Sequence, residues 1–209
     1  HETGHQWWPM MVGVNETQYG WMDEGFNSYM NIVSGAAFKG EAQVLDSVGQ
    51  SYGEAAGVDD QGPMMWDANY AGPWYGYVTY AKAPMMLSML GGIVGDSAVQ
   101  RAMSAYANTW RFRHPSPWDY MFAMSRELNR DLGWFWYYWL FTTESVDGSI
   151  DTAVTKGKRT TVTVRESGEM PSPVVLRVEF AADGPALKPM KNAVIDGTIA
   201  TVAWPVDVW

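Results

Sequence analysis

Two histidines four residues apart open the chain, in His1-Glu2-Thr3-Gly4-His5. On a helix, positions i and i+4 share one face, about one turn apart. Both imidazoles can then reach a single Zn²⁺ at about 2.0–2.1 Å. Glu2 lies beside such an ion rather than on it. From there a carboxylate can take a proton from bound water and hand it to a leaving amine. A catalytic zinc also needs a third protein ligand and one open position. Glu24, in Trp21-Met-Asp-Glu-Gly-Phe26, is the candidate, with eighteen residues between it and His5. Pro9, Gly13 and Asn15 fall in that interval, so the chain can turn and lay a second helix alongside the first. Asp23 and Glu16 are candidates to hold an imidazole N–H from behind.

The rest of the first 146 residues reads as mainly helical. Apolar spacing predicts helices over Gly25–Val33, Lys39–Gln50, Tyr80–Val94 and Ser97–Tyr106. Pro84 fits only the first turn of its helix. Ser116 as N-cap and Pro117 at the first position predict a helix to about Leu128, and Asp131–Phe141 the next. Ser51–Gly76 is rich in Gly, Pro, Asp and aromatics and reads as a long irregular connection. After Val146-Asp-Gly-Ser149 the period changes to two. Thr160–Arg165, Val174–Phe180 and Thr198–Trp204 read as strands, separated by turn signals at Gly168, Pro171-Ser-Pro173, Asp183-Gly-Pro185 and Asp196-Gly197. The expected fold is α+β: a helical domain over 1–148, then an antiparallel β-sandwich unit over 149–209.

Composition closes off several functions. Hydrophobic residues are 47% and charged residues 18%, which fits a packed globular chain. A net charge of -9 argues against nucleic acid as the main partner. There is no cysteine, hence no disulfide framework and no thiolate metal site. No apolar run approaches the roughly 18 residues of a membrane span. The opening at a metal motif and the strand-like ending at Trp204-Pro-Val-Asp-Val-Trp209 lead to the expectation of a fragment of a longer chain.

The spacing His1-Glu2-x-x-His5, eighteen residues, Glu24 resembles the gluzincin pattern of the M1 metallopeptidases, the aminopeptidase N-like family. Trp21-Met-Asp-Glu-Gly-Phe26 resembles that family's Trp-Leu-Asn/Asp-Glu-Gly-Phe block. Tyr80-Ala-Lys82 resembles its Tyr-x-Lys-Gly, with Ala83-Pro84 in place of the glycine. His114-Pro-Ser-Pro-Trp-Asp119 and Asp131-Leu-Gly-Trp-Phe-Trp-Tyr-Tyr-Trp139 resemble two further blocks, in the family's order. The resemblance covers about 1–145. It implies the helical C-terminal part of a thermolysin-like catalytic domain, followed by a small β-sandwich.

It also implies one Zn²⁺ held by His1, His5 and Glu24, with Glu2 as general base and then acid. Tyr80 would be the phenol that stabilises the oxyanion. The implied reaction is peptide hydrolysis by activated water, with removal of N-terminal residues. The family's Gly-x-Met-Glu-Asn segment, which recognises the substrate amine, is not among these residues, so exopeptidase or endopeptidase action stays open. Two alternatives stay open beside it: epoxide opening by a related zinc site, and a non-catalytic scaffold. Upstream β domains of a parent chain are the expected packing partners, and the 209 residues alone are expected to be inactive. The Trp- and Met-rich zinc block resembles that of exported bacterial members, which favours a periplasmic or secreted protein. Lys82 is read as a solvated or ion-paired structural residue and His114 as a hydrogen-bonded structural one. Trp7, Trp8, Met10 and Met11 are read as core, as is the Met85, Met86 and Met89 stripe.

Overall fold

The computed structural model describes residues 1–39, 43–58, 60–157, 159–172, 174–179 and 199–204. The chain divides into two compact units, His1–Ser145 and Val146–Trp209. The first is helical, the second is built of strands, and the fold is α+β.

In the first unit α1 spans Glu24–Lys39 and α2 spans Gln43–Ala55. A one-turn helix α3 (Tyr75–Tyr77) runs through a π turn (Val78–Lys82) into α4 (Ala83–Val94). Then come α5 (Asp96–Trp110), α6 (Pro117–Leu128) and α7 (Gly133–Phe141). The local chemistry explains the boundaries. Gly95, at φ 94°, ends α4 in a conformation that a side chain would resist. Ser116 and Asp119 form a reciprocal capping box at the start of α6, with Pro117 in its first turn, and Asn129 ends it in the left-handed region. Two expected boundaries shift. α1 runs six residues past Val33, and the connection expected over Ser51–Gly76 begins only after α2 ends at Ala55.

Phe26, Tyr106, Tyr120 and Trp136 form the centre of the core with Trp8 and Trp21, all nearly inaccessible. Their rings meet edge-on or tilted at 4.9–5.9 Å, apart from the stacked Trp8–Tyr106 pair. Such contacts add roughly 0.5–1.5 kcal/mol each to the burial itself. They tie the segment after His5 to α1, α5 and α6. Of the residues expected in the core beside it, Trp8 and Met86 are buried, while Trp7 and Met10 stay exposed.

Lys82 departs from expectation. It is buried, and its Nζ donates to the Thr142 carbonyl at 3.0 Å. That carbonyl lies just past the end of α7, where no intrahelical donor remains. Burial pulls the ammonium pKa down to about 8, against the pull of Glu144. The unfolded state therefore binds the extra proton between about pH 8 and 10.5, and stability rises with pH across that window. We expect a gain of roughly 1–2 kcal/mol from pH 8 to 9.5, read from denaturant melts, and loss of this slope in Lys82→Met. Above pH 10 the buried Tyr106 and Tyr120, whose pKa values are raised by burial, reverse the trend.

Among the described residues, the second unit has two two-stranded antiparallel sheets. β1 (Gly148–Lys156) pairs with β2 (Arg159–Glu166), with a register shift between Ile150 and Thr152. β3 (Val174–Glu179) pairs with β4 (Ile199–Trp204), Val174 opposite Trp204. β1 was not expected: its residues are all exposed, so no apolar face marks it in the sequence. The strand ends expected at Phe180 and Thr198, and the turns at 183–185 and 196–197, lie outside the described residues. No helix among the described residues is long and apolar enough to cross a membrane.

Candidate metal centre

The His1–His5 segment is not an α-helix. It is a tight turn with i→i+3 bonds, Gly4 N–H to the His1 carbonyl and Trp7 N–H to the Gly4 carbonyl, around a 3₁₀ element at Gly4–Gln6. Pro9 has no N–H for the His5 carbonyl, which takes the Met10 N–H instead at 3.2 Å. Even so, the two imidazoles meet edge to face with centroids 5.0 Å apart. The ligand atoms of His1, Glu2 and His5 all lie within 4.8 Å of one another.

Glu24 stands at the first position of α1 and reaches both rings. Its Oε2 is 2.8 Å from His1 Nε2 and 3.6 Å from His5 Nε2. One carboxylate oxygen thus faces both imidazoles, a donor set that suits zinc, while the ligand atoms lying mutually within 4.8 Å are those of His1, Glu2 and His5. Glu24 can stand there because Gly25 follows it. A Cβ on Gly25 would come within 2.5 Å of Ala83 Cβ and 3.2 Å of the Thr79 carbonyl oxygen. Gly4 plays the matching part on the other side, where a Cβ would overlap Asn27 Oδ1.

The far side of each ring is held as well. His5 Nδ1 donates to the Trp8 carbonyl at 2.8 Å. Asp23 Oδ1 lies 2.9 Å from the same nitrogen, and its charge favours the protonated ring. Asn27 Nδ2 pins the Trp8 carbonyl at 2.6 Å. With the proton on Nδ1, the His5 Nε2 lone pair faces Glu24, the tautomer a metal requires. Burial alone would depress the His5 pKa, but the Trp8 carbonyl, Asp23 and Glu24 outweigh it and raise it. Burial lifts Asp23 to about 6, helped by Glu24 and Glu16 and opposed by His5. Asn31 Nδ2 lies 3.1 Å from His1 Nδ1.

Tyr80 comes from the π turn. Its ring centroid is 6.0 Å from that of His1, and Glu24 is among the charges that bear on its phenol. Burial and the nearby Glu24 carboxylate raise its pKa, so the phenol stays protonated.

Of the residues singled out in the sequence, His1, Glu2, His5, Glu24, Tyr80 and Asp23 are brought together. Glu16 is exposed and acts only as a nearby charge on Asp23 and Tyr75. His114 is exposed and lies against Gly13, and among the described residues it does not join the group. Asn27 and Asn31 were missed. The signal was present, since positions 24, 27 and 31 share one helical face.

The chain is similar to several known proteins. Aminopeptidase N from Lactobacillus helveticus is 23% identical over 148 residues, which is 67% of this chain and 18% of that protein. Aminopeptidase N from Lactobacillus delbrueckii subsp. lactis is 24% identical over 152 residues, with the same coverage. The chain therefore spans about a fifth of the length of these relatives. A crystal structure of an M1 zinc metallopeptidase mutant from Deinococcus radiodurans, bound to a Tyr-Ser-Ala substrate, matches with a TM-score of 0.56 at 20% identity. The match covers 66% of this chain and 31% of that one. The family model described as the peptidase family M1 domain matches residues 1–139, two thirds of the chain, and the chain belongs to that family.

Proposed function

We propose that this chain carries the zinc-binding half of a peptidase active site, and that the protein it serves removes N-terminal residues from peptides. The observation that carries the proposal is the meeting of His1 Nε2, His5 Nε2 and Glu24 Oε2, with Glu2 and Tyr80 beside them. One zinc ion would be held by His1, His5 and Glu24. The chemistry such an ion supplies when bound is Lewis acidity, which makes water acidic near neutral pH and polarises a carbonyl.

The chain's own residues do the rest. Glu2 accepts a proton from the attacking water as its oxygen bonds to the peptide carbonyl carbon. It returns that proton to the amine nitrogen as the C–N bond breaks. The Tyr80 hydroxyl, kept protonated by its setting, donates to the carbonyl oxygen as negative charge develops there. The Trp8 carbonyl and Asp23 keep the His5 Nε2 lone pair aimed inward. The aminopeptidase names of the relatives support release of N-terminal residues over other hydrolysis.

An open apolar groove of about 1000 Å³ lies behind His1, with Trp7, Met11, Met30, Phe38 and Met103 among its walls. In a protein of the relatives' length, further polypeptide would pack there. The domain division near residue 148 and a periplasmic or secreted location belong to the same proposal, on the strength of the sequence pattern.

The test is hydrolysis of an aminoacyl-anilide by the protein carrying this chain. Chelator-sensitive release is expected, and Tyr80→Phe should lower kcat by about 10²–10³-fold with KM little changed. Full activity in excess chelator would refute the zinc reading.

A further inference from the structure

We propose that Pro84 is a positioning residue, which fixes the π turn at Val78–Lys82 and so aims the Tyr80 phenol at Glu24. This rests on the role given to Tyr80 above.

α3, the π turn and α4 form one continuous helical run from Tyr75 to Val94, with Pro84 in its interior. In an α-helix a proline lacks the N–H owed to residue i−4, and its ring collides with that residue's carbonyl. For Pro84 the residue at i−4 is Tyr80. The run avoids the collision by widening: Ala83 N–H bonds back five residues, to the Val78 carbonyl. π turns of this kind insert one extra residue. That residue rotates everything before it by about 100° relative to α4.

The consequences show on both sides. Pro84, Met86, Leu87 and Leu90 of α4 stay buried, as do Ala81, Lys82 and Thr79 of the turn, while Tyr80 alone swings out and is 41% exposed. Its ring centroid comes to 6.0 Å from that of His1, whose Nε2 meets Glu24 Oε2 at 2.8 Å. The Thr79 hydroxyl donates to the Tyr75 carbonyl at 2.6 Å, which also accepts the Val78 N–H. The Thr79 carbonyl, with no N–H at Pro84 to meet it, sits against Gly25, the residue after Glu24. The π turn thus touches α1 at the point where the carboxylate is presented.

The test is Pro84→Ala, which restores the N–H and removes the ring, with Pro84→Gly as a second variant should the first misfold. A 3-fluorotyrosine label at Tyr80 reports the contact in metal-free protein. With Pro84 present, Glu24→Gln should shift the label's fluorine resonance. In Pro84→Ala it should not. In the metal-loaded protein Pro84→Ala should lower kcat by roughly 10²-fold with KM little changed. On a Tyr80→Phe background it should have no further effect beyond about threefold.

A label that still responds to Glu24→Gln in both Pro84 variants overturns the proposal. So does an equal loss of kcat with and without the Tyr80 hydroxyl. If Tyr80→Phe alone leaves kcat unchanged, the catalytic reading of Tyr80 fails, and the fluorine response still decides the role of Pro84.

Discussion

Glu2→Gln is expected to abolish most peptide hydrolysis while leaving metal binding intact. Glu2 is exposed and lies beside the two imidazoles, within 4.8 Å of both. The glutamine keeps the shape but cannot accept a proton. General acid–base catalysis by one side chain contributes about 10²–10⁴-fold, and the loss of kcat should fall in that range. Zinc affinity should change by less than about threefold, because in this account Glu2 is not a ligand. A large drop in affinity would move Glu2 onto the metal.

The reciprocal result is expected at Glu24. Glu24→Gln removes the carboxylate that lies 2.8 Å from His1 Nε2 and 3.6 Å from His5 Nε2. Apparent zinc binding free energies of about 10–16 kcal/mol are shared among three or four ligands, so losing one should weaken binding by at least about 10²-fold. Competition against a chromophoric chelator measures this directly. The two substitutions together separate base from ligand. A weak effect of Glu24→Gln paired with a strong effect of Glu2→Gln on affinity would show that His1, Glu2 and His5 form the ligand set instead.

Much of this site could be read from the sequence because its parts obey local rules. The His1–His5 spacing and the capping box at Ser116 each depend on neighbours a few residues away. Other features depend on contacts between distant segments. Lys82 is polar and sits in a helix, so solvation was the natural expectation. Only the fold brings the Thr142 carbonyl, sixty residues on, to its ammonium. The motif forms a turn with i→i+3 bonds rather than an α-helix, and the His5 carbonyl takes the Met10 N–H because Pro9 has none. The role of Asn27 depends on a main-chain oxygen, that of Trp8, which no residue type announces. β1 was hidden because a strand exposed along its whole length carries no apolar alternation. Pro84 was recognised as a constraint on its helix, but its consequence, a π turn facing Tyr80, needed the backbone.

The central claim is that His1, His5 and Glu24 hold one catalytic zinc. Metal content and aminoacyl-anilide hydrolysis, measured together on the protein carrying this chain, test it most directly. The account predicts one zinc per chain and release of N-terminal residues that stops on chelation and returns with added zinc. Hydrolysis that persists at zero zinc content, or one bound zinc that survives loss of both His5 and Glu24, would contradict it.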